Sequence, residues 1–487
     1  MPTSPTTHSL DSGALEHLAT SMAVPTYDRN GLRRSIVHIG VGGFHRAHLA
    51  TYVDELCGLG DTDWSIVGAG VLPGDARMAT VLGEQDHLYT LITRGAAAAD
   101  VQVIGSIVDY LHATPDPEPL IERIADPDTQ IVSLTVTEGG YPIDDATGDY
   151  RPDSSNAGPG SAFAAIAAGL ERRRARDVGP VTVLSCDNIL ANGNATRAAT
   201  VGEARTISAE LAEWIDREVT FPNSMVDRIT PATTDADRSW LAEHHGLDDG
   251  WPVVTEPFRQ WVVEDRFAGE RLPLERLDVI VTDDVEPYEM MKLRLLNAGH
   301  SCLAYLAALQ GIETVDQALA DPAIRGFLQA FLRSEARPVV PAVAGVDLDD
   351  YVDSLIVRFS NPNIGDQIAR LCLDGSAKFP KFLMPTIATQ LERGGPVRLS
   401  ALALAGWCQY LRVGSDPESG VELSPDPALQ QAVDCAVASA DDPAAFLEFD
   451  LVFDPSLRSG PFTDAFVAAL GSIRTLGVPS AIDAALS

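Results

Sequence analysis

The 487-residue sequence lacks long apolar runs, and none reaches the roughly 18 residues that a membrane-spanning helix requires. Its six cysteines include no C-x-x-C pair, which argues against a disulfide framework and favours reduced thiols in a cytosolic setting. Residues 1–26 have no basic start followed by an apolar run, so they do not resemble a signal peptide. These absences predict a cytoplasmic protein that does not associate with a membrane.

Basic side chains are also scarce, with 35 lysines and arginines against 69 acidic residues and a net charge of −34. Such a negative field makes nucleic acids and anionic membrane surfaces poor partners, and it slightly favours a neutral ligand over an anionic one. A well-solvated surface explains the charge equally well. The 45% of hydrophobic residues is typical of a soluble globular enzyme.

Short apolar runs alternate with helical stretches over the first 280 or so residues. The helical pattern is clearest from Ser161 to Arg174, where apolar residues fall on one face. This alternation predicts an α/β fold with a mostly parallel, doubly wound sheet. The predicted strands are Ile36–Ile39, Trp64–Val67, Val101–Ile104, Ile131–Val136 and Val181–Leu184.

After a last predicted strand at Val279–Val281, the apolar spacing becomes helical up to the C-terminus. Pro287 suits the first turn of a helix that continues to about Leu309. The sequence therefore predicts two domains, residues 1–284 and a mostly α-helical part at 285–487, with a surface loop at 415–427. Further predicted helices are Ala323–Leu332, Asp347–Phe359, Leu399–Leu411 and Phe462–Leu476.

A glycine-rich turn follows the first predicted strand, with the sequence Gly40-Val41-Gly42-Gly43-Phe44-His45. Glycines at this point let the chain turn tightly and let a pyrophosphate approach backbone amides. His45 stands where a third glycine is expected, so an ordinary tight turn is the alternative. Gly40, Gly42, Gly43 and Phe44 are the candidate residues for binding a dinucleotide.

A carboxylate, Asp75, follows the second predicted strand and the segment Gly68-Ala69-Gly70. A carboxylate in this place can accept hydrogen bonds from the ribose of NAD and repel the extra phosphate of NADP. A solvated loop carboxylate is an equal alternative on spacing alone, and Arg77 leaves NADP open.

Two common kinds of dehydrogenase site do not fit the sequence. The ten histidines and six cysteines form no compact zinc ligand set. Tyr288 and Lys292 have the four-residue spacing of a short-chain reductase, but they lie about 250 residues beyond the glycine turn. We interpret that match as a coincidence.

Lys292, Asn297 and His300 are spaced so that one helix could present all three to a cavity. At about 100° per residue, Asn297 lies about 140° and His300 about 80° from Lys292. A desolvated lysine can act as the base that removes a hydroxyl proton, because burial lowers its pKa. Amide donors can then stabilise the alkoxide, and a histidine can orient the hydroxyl. A plain polar stripe at a domain boundary is the alternative.

Several motifs, in the same order, resemble the polyol-specific long-chain dehydrogenases, the family that includes the mannitol 2-dehydrogenases. They are Gly40 to His48, Ser185-Cys186-Asp187-Asn188, Met225-Val226-Asp227-Arg228 and Lys292 to His300. The resemblance covers nearly the whole chain. It implies a Rossmann-type N-terminal domain, a helical C-terminal domain, and a metal-free site formed by both.

The resemblance also implies a role for each candidate residue of the reaction. Lys292 is the catalytic base, Asn188 and Asn297 donate to the substrate oxygen, and His300 positions it. Glu289 matches a residue that gates the exit of the proton.

Further residues are implied to bind the substrate and the cofactor. Asp227 lies near the reacting centre, and Arg370 and Lys378 match residues that hold the remaining hydroxyls of the polyol. Asp75 matches the position that selects NAD, and no metal is expected.

The substrate implied by the resemblance is D-mannitol, interconverted with D-fructose, but two alternatives within the family stay open. The segment Ser376 to Phe382 looks like the mannitol enzymes, whereas Glu256 to Trp261 looks closer to fructuronate reductases; arabinitol dehydrogenases belong to the family too. A nucleotide-binding sensor without turnover is an alternative of another class. Family members are often monomeric, so a monomer is expected.

Overall fold

The computed structural model describes residues 8–60, 63–144 and 147–487. The chain divides into two compact units, Met1–Glu286 and Pro287–Ser487. All strands that the structure describes belong to the first unit. They are β1 (His8–Ser9), β2 (Arg34–Ile39), β3 (Trp64–Gly70), β4 (Tyr89–Arg94), β5 (Ala99–Ile104), β6 (Ile107–His112), β7 (Thr129–Leu134), β8 (Thr182–Ser185), β9 (Ser224–Asp227), β10 (Leu247–Asp248), β11 (Val253–Thr255), β12 (Gln260–Glu264) and β13 (Val279–Thr282).

A five-stranded parallel sheet organises the first unit, with the strand order β6-β3-β2-β7-β8. Alternate residues of a strand point to opposite faces, and β2 shows the consequence. Ile36 packs into the hydrophobic core on one face, whereas Val37 and Ile39 pack into the core on the other. Both faces are covered, so the predicted doubly wound α/β class is confirmed.

The first unit also contains two three-stranded sheets, ordered β11-β4-β5 and β13-β12-β9. The predicted strand Val101–Ile104 forms, but the expectation that it belongs to the parallel sheet is wrong. It pairs with β4 in an antiparallel arrangement, and the strand that joins the parallel sheet is Ile107–His112. Only Gly105 and Ser106 separate these two apolar runs, so their pattern could not show that they enter different sheets.

Among the described residues of the first unit, ten α-helices start, and the last of them continues into the second unit. They are α1 (Leu15–Leu18), α2 (Gly43–Ala47), α3 (Leu49–Gly58), α4 (Ala76–Glu84), α5 (Glu118–Ala125), α6 (Ala162–Ala175), α7 (Asn192–Ile207), α8 (Ala209–Glu218), α9 (Asp235–His245) and α10 (Glu286–Met291). Ser161 caps α6 by accepting a hydrogen bond from Ala164 N, which explains why this predicted helix starts there.

The second unit, all of whose residues are described, is built from helices and has no strand. After α10 and a π-helical segment, Lys292–Asn297, come α11 (Ala298–Ala308), α12 (Val315–Ala320), α13 (Pro322–Phe331), α14 (Leu348–Phe359), α15 (Ile368–Leu371), α16 (Gly375–Phe382), α17 (Met384–Glu392), α18 (Arg398–Gly414), α19 (Leu429–Ala438), α20 (Pro461–Leu476) and α21 (Val478–Leu486). Aspartates cap two predicted helices, Asp321 at α13 and Asp347 at α14. The predicted mostly helical C-terminal part is confirmed.

Within the described ranges, no helix is both long enough and apolar enough to span a membrane.

Candidate active site

The glycine-rich turn after β2 can be built only with glycine at position 40. Gly40 has a φ of +92°, and a Cβ atom there would lie 2.2 Å from the backbone oxygen of Thr135. Gly40 N donates to Ala69 O at 2.9 Å, and Gly40 O accepts from Thr135 Oγ1 at 2.7 Å. The turn is thereby hydrogen-bonded to β3 and to the residue that follows β7, the two strands that flank β2. For Gly42, the nearest atom to an added Cβ is 4.0 Å away, so the backbone there remains open to a ligand such as a pyrophosphate.

His45 explains the departure from the usual three-glycine pattern. The third glycine normally permits close packing of helix against strand. Here the His45 ring, 1% exposed, stacks on His38 of β2 with centroids 3.5 Å apart. Burial lowers the pKa of His45 well below its ordinary value of 6.5. Burial lowers the pKa of His38 to about 3 as well, so a neutral histidine pair fills the space between α2 and the sheet. Phe44 is half-buried, and its ring stacks on His48 with centroids 5.0 Å apart.

Asp75 lies at the carboxyl end of β3, beside the glycine turn. Its Oδ2 accepts a hydrogen bond from Leu72 N at 2.9 Å. A Cβ added to Gly70 would lie 2.4 Å from the Asp75 Cβ, so the aspartate folds closely over the end of the strand. Because β2 and β3 are parallel neighbours, Gly40 and Gly70 end at the same edge of the sheet. This is where a Rossmann fold binds the ribose of a dinucleotide.

Arg77 is the residue that left binding of NADP possible on the sequence alone, and its guanidinium packs against an aromatic ring. Its guanidinium carbon lies 4.4 Å from the ring centroid of Trp251, within cation–π range.

Asn188 and Asp227 are joined through buried polar groups of the first unit. Asn188 is exposed and follows Asp187 beyond the end of β8, whereas Asp227, 4% exposed, is the last residue of β9. The buried Asn192 Nδ2 donates to Asp187 O at 3.1 Å and to Ser224 O at 2.8 Å. The loop that carries Asn188 is thus fixed to the start of the strand that ends in Asp227.

In the second unit, Lys292 and Asn297 lie at the two ends of a π-helical segment. Ala298 N donates to Leu293 O, five residues back, which is the hydrogen bond that defines a π-turn. The expected single α-helix from Pro287 to Leu309, with about 100° per residue, is therefore wrong at its centre. In a π-turn, residues five apart lie about one turn apart, so Asn297 is closer in angle to Lys292 than the α-helical spacing predicted. Isolated π-turns occur frequently at functional sites.

The side chains along this helical run are withdrawn from solvent. Glu289, Lys292 and His300 are 7%, 8% and 8% exposed. Asn297 is half-buried, and its Oδ1 atom is buried without a hydrogen-bond partner. Buried charged groups are uncommon unless they are paired or functional, so this run is a strong candidate for chemistry.

His300 is packed against an aromatic ring and lies near two of the other candidate residues, Arg370 and Lys378. Its ring stacks on Phe359 with centroids 3.9 Å apart and 17° between the planes, and its Nε2 is buried without a hydrogen-bond partner. The pKa of His300 lies well below 6.5, because of burial and then the positive charges of Arg370, Arg358 and Lys378. The ring is therefore neutral at pH 7 and can accept or donate a hydrogen bond.

Arg370 and Lys378 lie on the successive helices α15 and α16. Arg370 donates from Nε and Nη2 to the two carboxylate oxygens of Asp366, at 2.8 and 2.7 Å, while half of its side chain stays exposed. Lys378 Nζ donates to Leu371 O at 3.3 Å. The positive charge of Arg370 is thus already matched by a carboxylate, which leaves N–H donors suited to hydroxyl groups.

Sequence reasoning missed Arg358, Phe359 and Asp366. Arg358 and Phe359 end the predicted helix α14, and nothing in their spacing distinguishes them from ordinary helix residues. Over the described ranges, no group of three or more His, Cys, Asp or Glu side chains could hold a metal ion.

Comparisons with known proteins agree with this geometry. The family model described as "Mannitol dehydrogenase Rossmann domain" matches residues 34–276, and "Mannitol dehydrogenase C-terminal domain" matches residues 284–474. A mannitol 2-dehydrogenase of Phaeosphaeria nodorum is 42% identical over 98% of this chain and 86% of its own length.

Two solved structures are also similar. Pseudomonas fluorescens mannitol 2-dehydrogenase, in a ternary complex with NAD and D-mannitol, is 41% identical with a TM-score of 0.89, over 98% of this chain and 99% of that one. A D-sorbitol dehydrogenase in substrate-free form is 36% identical with a TM-score of 0.87, over 97% of this chain and 100% of that one.

Proposed function

This chain belongs to the mannitol dehydrogenase family and is an NAD-dependent polyol dehydrogenase, and we propose that it interconverts D-mannitol and D-fructose. The observation that carries the choice of substrate is the similarity to the mannitol 2-dehydrogenase of Pseudomonas fluorescens over 98% of this chain. Residues 1–284 would bind the dinucleotide, and residues 285–487 the polyol.

The reaction removes a hydride from the carbon of a secondary alcohol and a proton from its oxygen, which leaves a ketone. NAD, when bound, supplies the hydride acceptor. The open backbone at Gly42, the adjoining Gly40, Gly43 and Phe44, and the carboxylate of Asp75 fit the pyrophosphate and ribose of such a dinucleotide.

Lys292 takes the hydroxyl proton in this proposal. Its burial favours the neutral amine, which an arginine could not provide, because a guanidinium stays protonated in proteins. Asn297 and Asn188 donate to the oxygen as negative charge develops on it, and the neutral His300 orients the hydroxyl. Glu289, three residues before Lys292 and equally buried, would pass the proton on to solvent. No step requires a metal, so activity should survive prolonged EDTA treatment.

Two observations support a neutral polyol over a uronate. Arg370 already makes two bonds to Asp366, so a substrate carboxylate would compete with an existing one. Charged residues of the segment that looked like a fructuronate reductase are already bonded to other residues of the first unit: Arg259 donates to Glu55 at 2.6 Å, and Glu256 accepts from Ile229 N at 2.6 Å. Asp227 would lie near the reacting carbon, and Arg370 and Lys378 would bind the remaining hydroxyls of the polyol.

A second candidate substrate is D-sorbitol, favoured by the similarity to a D-sorbitol dehydrogenase. D-Mannitol and D-sorbitol differ only in the configuration at C2, and oxidation of either at C2 yields fructose. The product therefore cannot distinguish the two substrates, and the test compares kcat/KM values. They are measured with NAD for D-mannitol, D-sorbitol and D-arabinitol, and with NADH for fructose and fructuronate. Preference for sorbitol or for the uronate would overturn the mannitol assignment, and tight NADH binding without turnover on any of them would indicate a sensor.

We also propose that the protein acts in the cytoplasm as a monomer. All six cysteines are free thiols and five are buried, which fits a reducing compartment. Light scattering of the purified protein tests the oligomeric state.

A further inference from the structure

The carboxylate of Asp187, the residue before Asn188, binds the loop that follows the neighbouring strand. Asp187 is 6% exposed. Its oxygens accept hydrogen bonds from Val136 N at 3.1 Å, Thr137 N at 2.8 Å and Tyr141 Oη at 2.9 Å. β7 and β8 are parallel neighbours, so this single side chain joins the loops at their carboxyl ends.

The loop that Asp187 binds contains a backbone conformation that needs external support. Thr137 has a φ of +65°, which is rare for a β-branched residue. Ala191, just beyond Asn188, is also left-handed, with a φ of +47°. Such conformations persist only where the surroundings hold them, and they concentrate at functional sites. The Asp187 carboxylate provides that support directly, because it binds the N–H of Thr137.

A second buried side chain fixes the backbone of Asp187 itself. Asn192, fully buried, donates to Asp187 O at 3.1 Å, and its Oδ1 accepts from Ser224 N at 2.9 Å. Asp187 N donates to Ser185 Oγ at 3.1 Å. The backbone is therefore fixed by hydrogen bonds at Asp187, directly before Asn188, and at Asn192, four residues after it. The exposed amide of Asn188 is attached between these two points.

We propose that Asp187 is a positioning residue for Asn188, holding the amide where it can donate to the developing alkoxide. This inference rests on the role of Asn188 proposed above. Asp187 does not need to touch the substrate: its carboxylate sets the conformation of the two loops, and Asn188 acts from one of them.

Asp187 can hold the two loops in this way only while its carboxylate is ionised, so the arrangement depends on pH. Burial raises the pKa of Asp187 to about 6, partly offset by its hydrogen bonds, while the nearby Glu138 raises it further. Tyr141 and Cys186, the other titratable groups beside it, have pKa values raised by burial and stay protonated near neutral pH. Above pH 6 the carboxylate can accept all three bonds. Below it, the added proton meets N–H donors and the arrangement loosens.

Asp54, in α3, provides a closely matched control. Burial raises its pKa to about 6 as well, and it too accepts from a phenol, Tyr27 Oη at 2.5 Å, and a backbone amide, Gly105 N at 2.7 Å. Gly105 lies two residues before Ile107, the first residue of β6. Asp54 therefore lies at the edge of the parallel sheet where the strands begin, whereas Asn188 lies at the edge where they end. The two aspartates thus match in pKa and in the kinds of hydrogen-bond partner, but Asp54 is half-buried whereas Asp187 is 6% exposed. They also lie at opposite edges of the parallel sheet, so only Asp187 is near the proposed chemistry.

The experiment compares Asp187→Asn, Asp54→Asn and Asn188→Ala in kcat, KM and NADH affinity with D-mannitol and NAD. Asparagine at 187 would present N–H donors to N–H donors, and displacement of Asn188 by about 1 Å should lower kcat roughly 100-fold. The fall in wild-type kcat through about pH 6 should vanish in Asp187→Asn. Asp54→Asn should lose thermal stability but keep its kcat and its pH profile.

The outcomes separate the inference from the function on which it rests. If Asn188→Ala keeps full kcat, the proposed role of Asn188 is wrong. If Asn188→Ala is impaired but Asp187→Asn behaves like Asp54→Asn, the positioning role alone is wrong. Should Asp187→Asn fail to fold, Tyr141→Phe removes one of the three bonds: a kcat lowered several-fold supports the inference, and an unchanged kcat and pH profile contradicts it.

Discussion

The loop that carries Asn188 and the helical run that carries Lys292 hold their polar groups in opposite ways. Around Asn188, the side chains of Asp187 and Asn192 are buried in hydrogen bonds within their own unit. Along the helical run, Asn297 Oδ1 and His300 Nε2 are buried with no hydrogen-bond partner. One segment is stabilised before any ligand arrives, whereas the other keeps buried polar atoms unpaired.

An unpaired buried polar atom costs about 1–3 kcal/mol, so such atoms usually have a reason to be there. In our account the substrate hydroxyls provide the missing partners. Substitutions along the helical run should then lower activity with little loss of stability, whereas substitutions around Asn188 should lower both.

The largest effect is expected for Lys292→Ala. Removing a general base typically costs 10²–10⁴-fold, so we expect kcat to fall about 1,000-fold while NADH affinity, measured by fluorescence titration, stays within about twofold. Lys292→Arg is the matched control, because it keeps the positive charge but cannot supply a neutral base. It should be as inactive as the alanine variant, and an active Lys292→Arg enzyme would contradict the base assignment.

The composition supports this distinction between the two cations. The chain contains only three lysines, Lys292, Lys378 and Lys381, among 35 lysine and arginine residues, and all three lie in the second unit. The remaining basic side chains of this kind are arginines, which stay protonated in proteins, so Lys292 is one of only three that could supply a neutral amine.

The next effect concerns Asn297, which distinguishes the two segments most clearly. Removing one oxyanion donor costs about 100-fold in kcat, so Asn297→Ala should show that loss. Its melting temperature should stay close to that of the wild type, because the Asn297 Oδ1 has no hydrogen bond to lose. Asp187→Asn should instead lose both activity and stability; equal destabilisation in the two variants would remove the contrast.

A smaller effect is expected for Phe359→Leu, because the Phe359 ring stacks on the His300 ring and helps to orient it. An aromatic pair contributes about 0.5–1.5 kcal/mol, which corresponds to a loss of roughly 2- to 10-fold in kcat/KM. Phe446→Leu is the control, since it removes an equally buried ring from the cluster around Trp407. If the two variants lower kcat/KM equally, the stack with His300 has no specific role.

The smallest effect is a change of pKa. Arg370→Gln removes a positive charge that lowers the pKa of His300, so that pKa should rise while remaining below 6.5, because burial is the larger cause. Lys381→Gln is the control, because it removes a positive charge from the same part of the chain, and Lys381 is not one of the residues that lower the pKa of His300. Titration of the His300 ring by NMR should show an upward shift only in Arg370→Gln.

The sequence predicted the elements whose signals are local, and it failed where packing decides. The strand that leads into Gly40 and the helices α6, α13 and α14 followed from apolar spacing. The π-turn at Lys292–Asn297 could not be predicted, because one extra residue per turn leaves a pattern that an α-helix also fits. The choice of Ile107–His112 over Val101–Ile104 for the parallel sheet depends on pairing between distant segments.

The candidate site shows the same division. The motif residues could be named from the sequence, but the partners that fix them, such as Asp187 on the loop at Thr137 and Phe359 on His300, lie far apart along the chain. Their contacts exist only in the folded units, and their roles stay predictions.

Chemical rescue of Lys292→Ala tests the central claim most directly. Small primary amines added to this variant should enter the space left by the buried side chain and restore oxidation of D-mannitol, with rates that rise with the basicity of the amine. A variant that keeps wild-type turnover, or one whose rate does not respond to any amine, would contradict the assignment of Lys292 as the base.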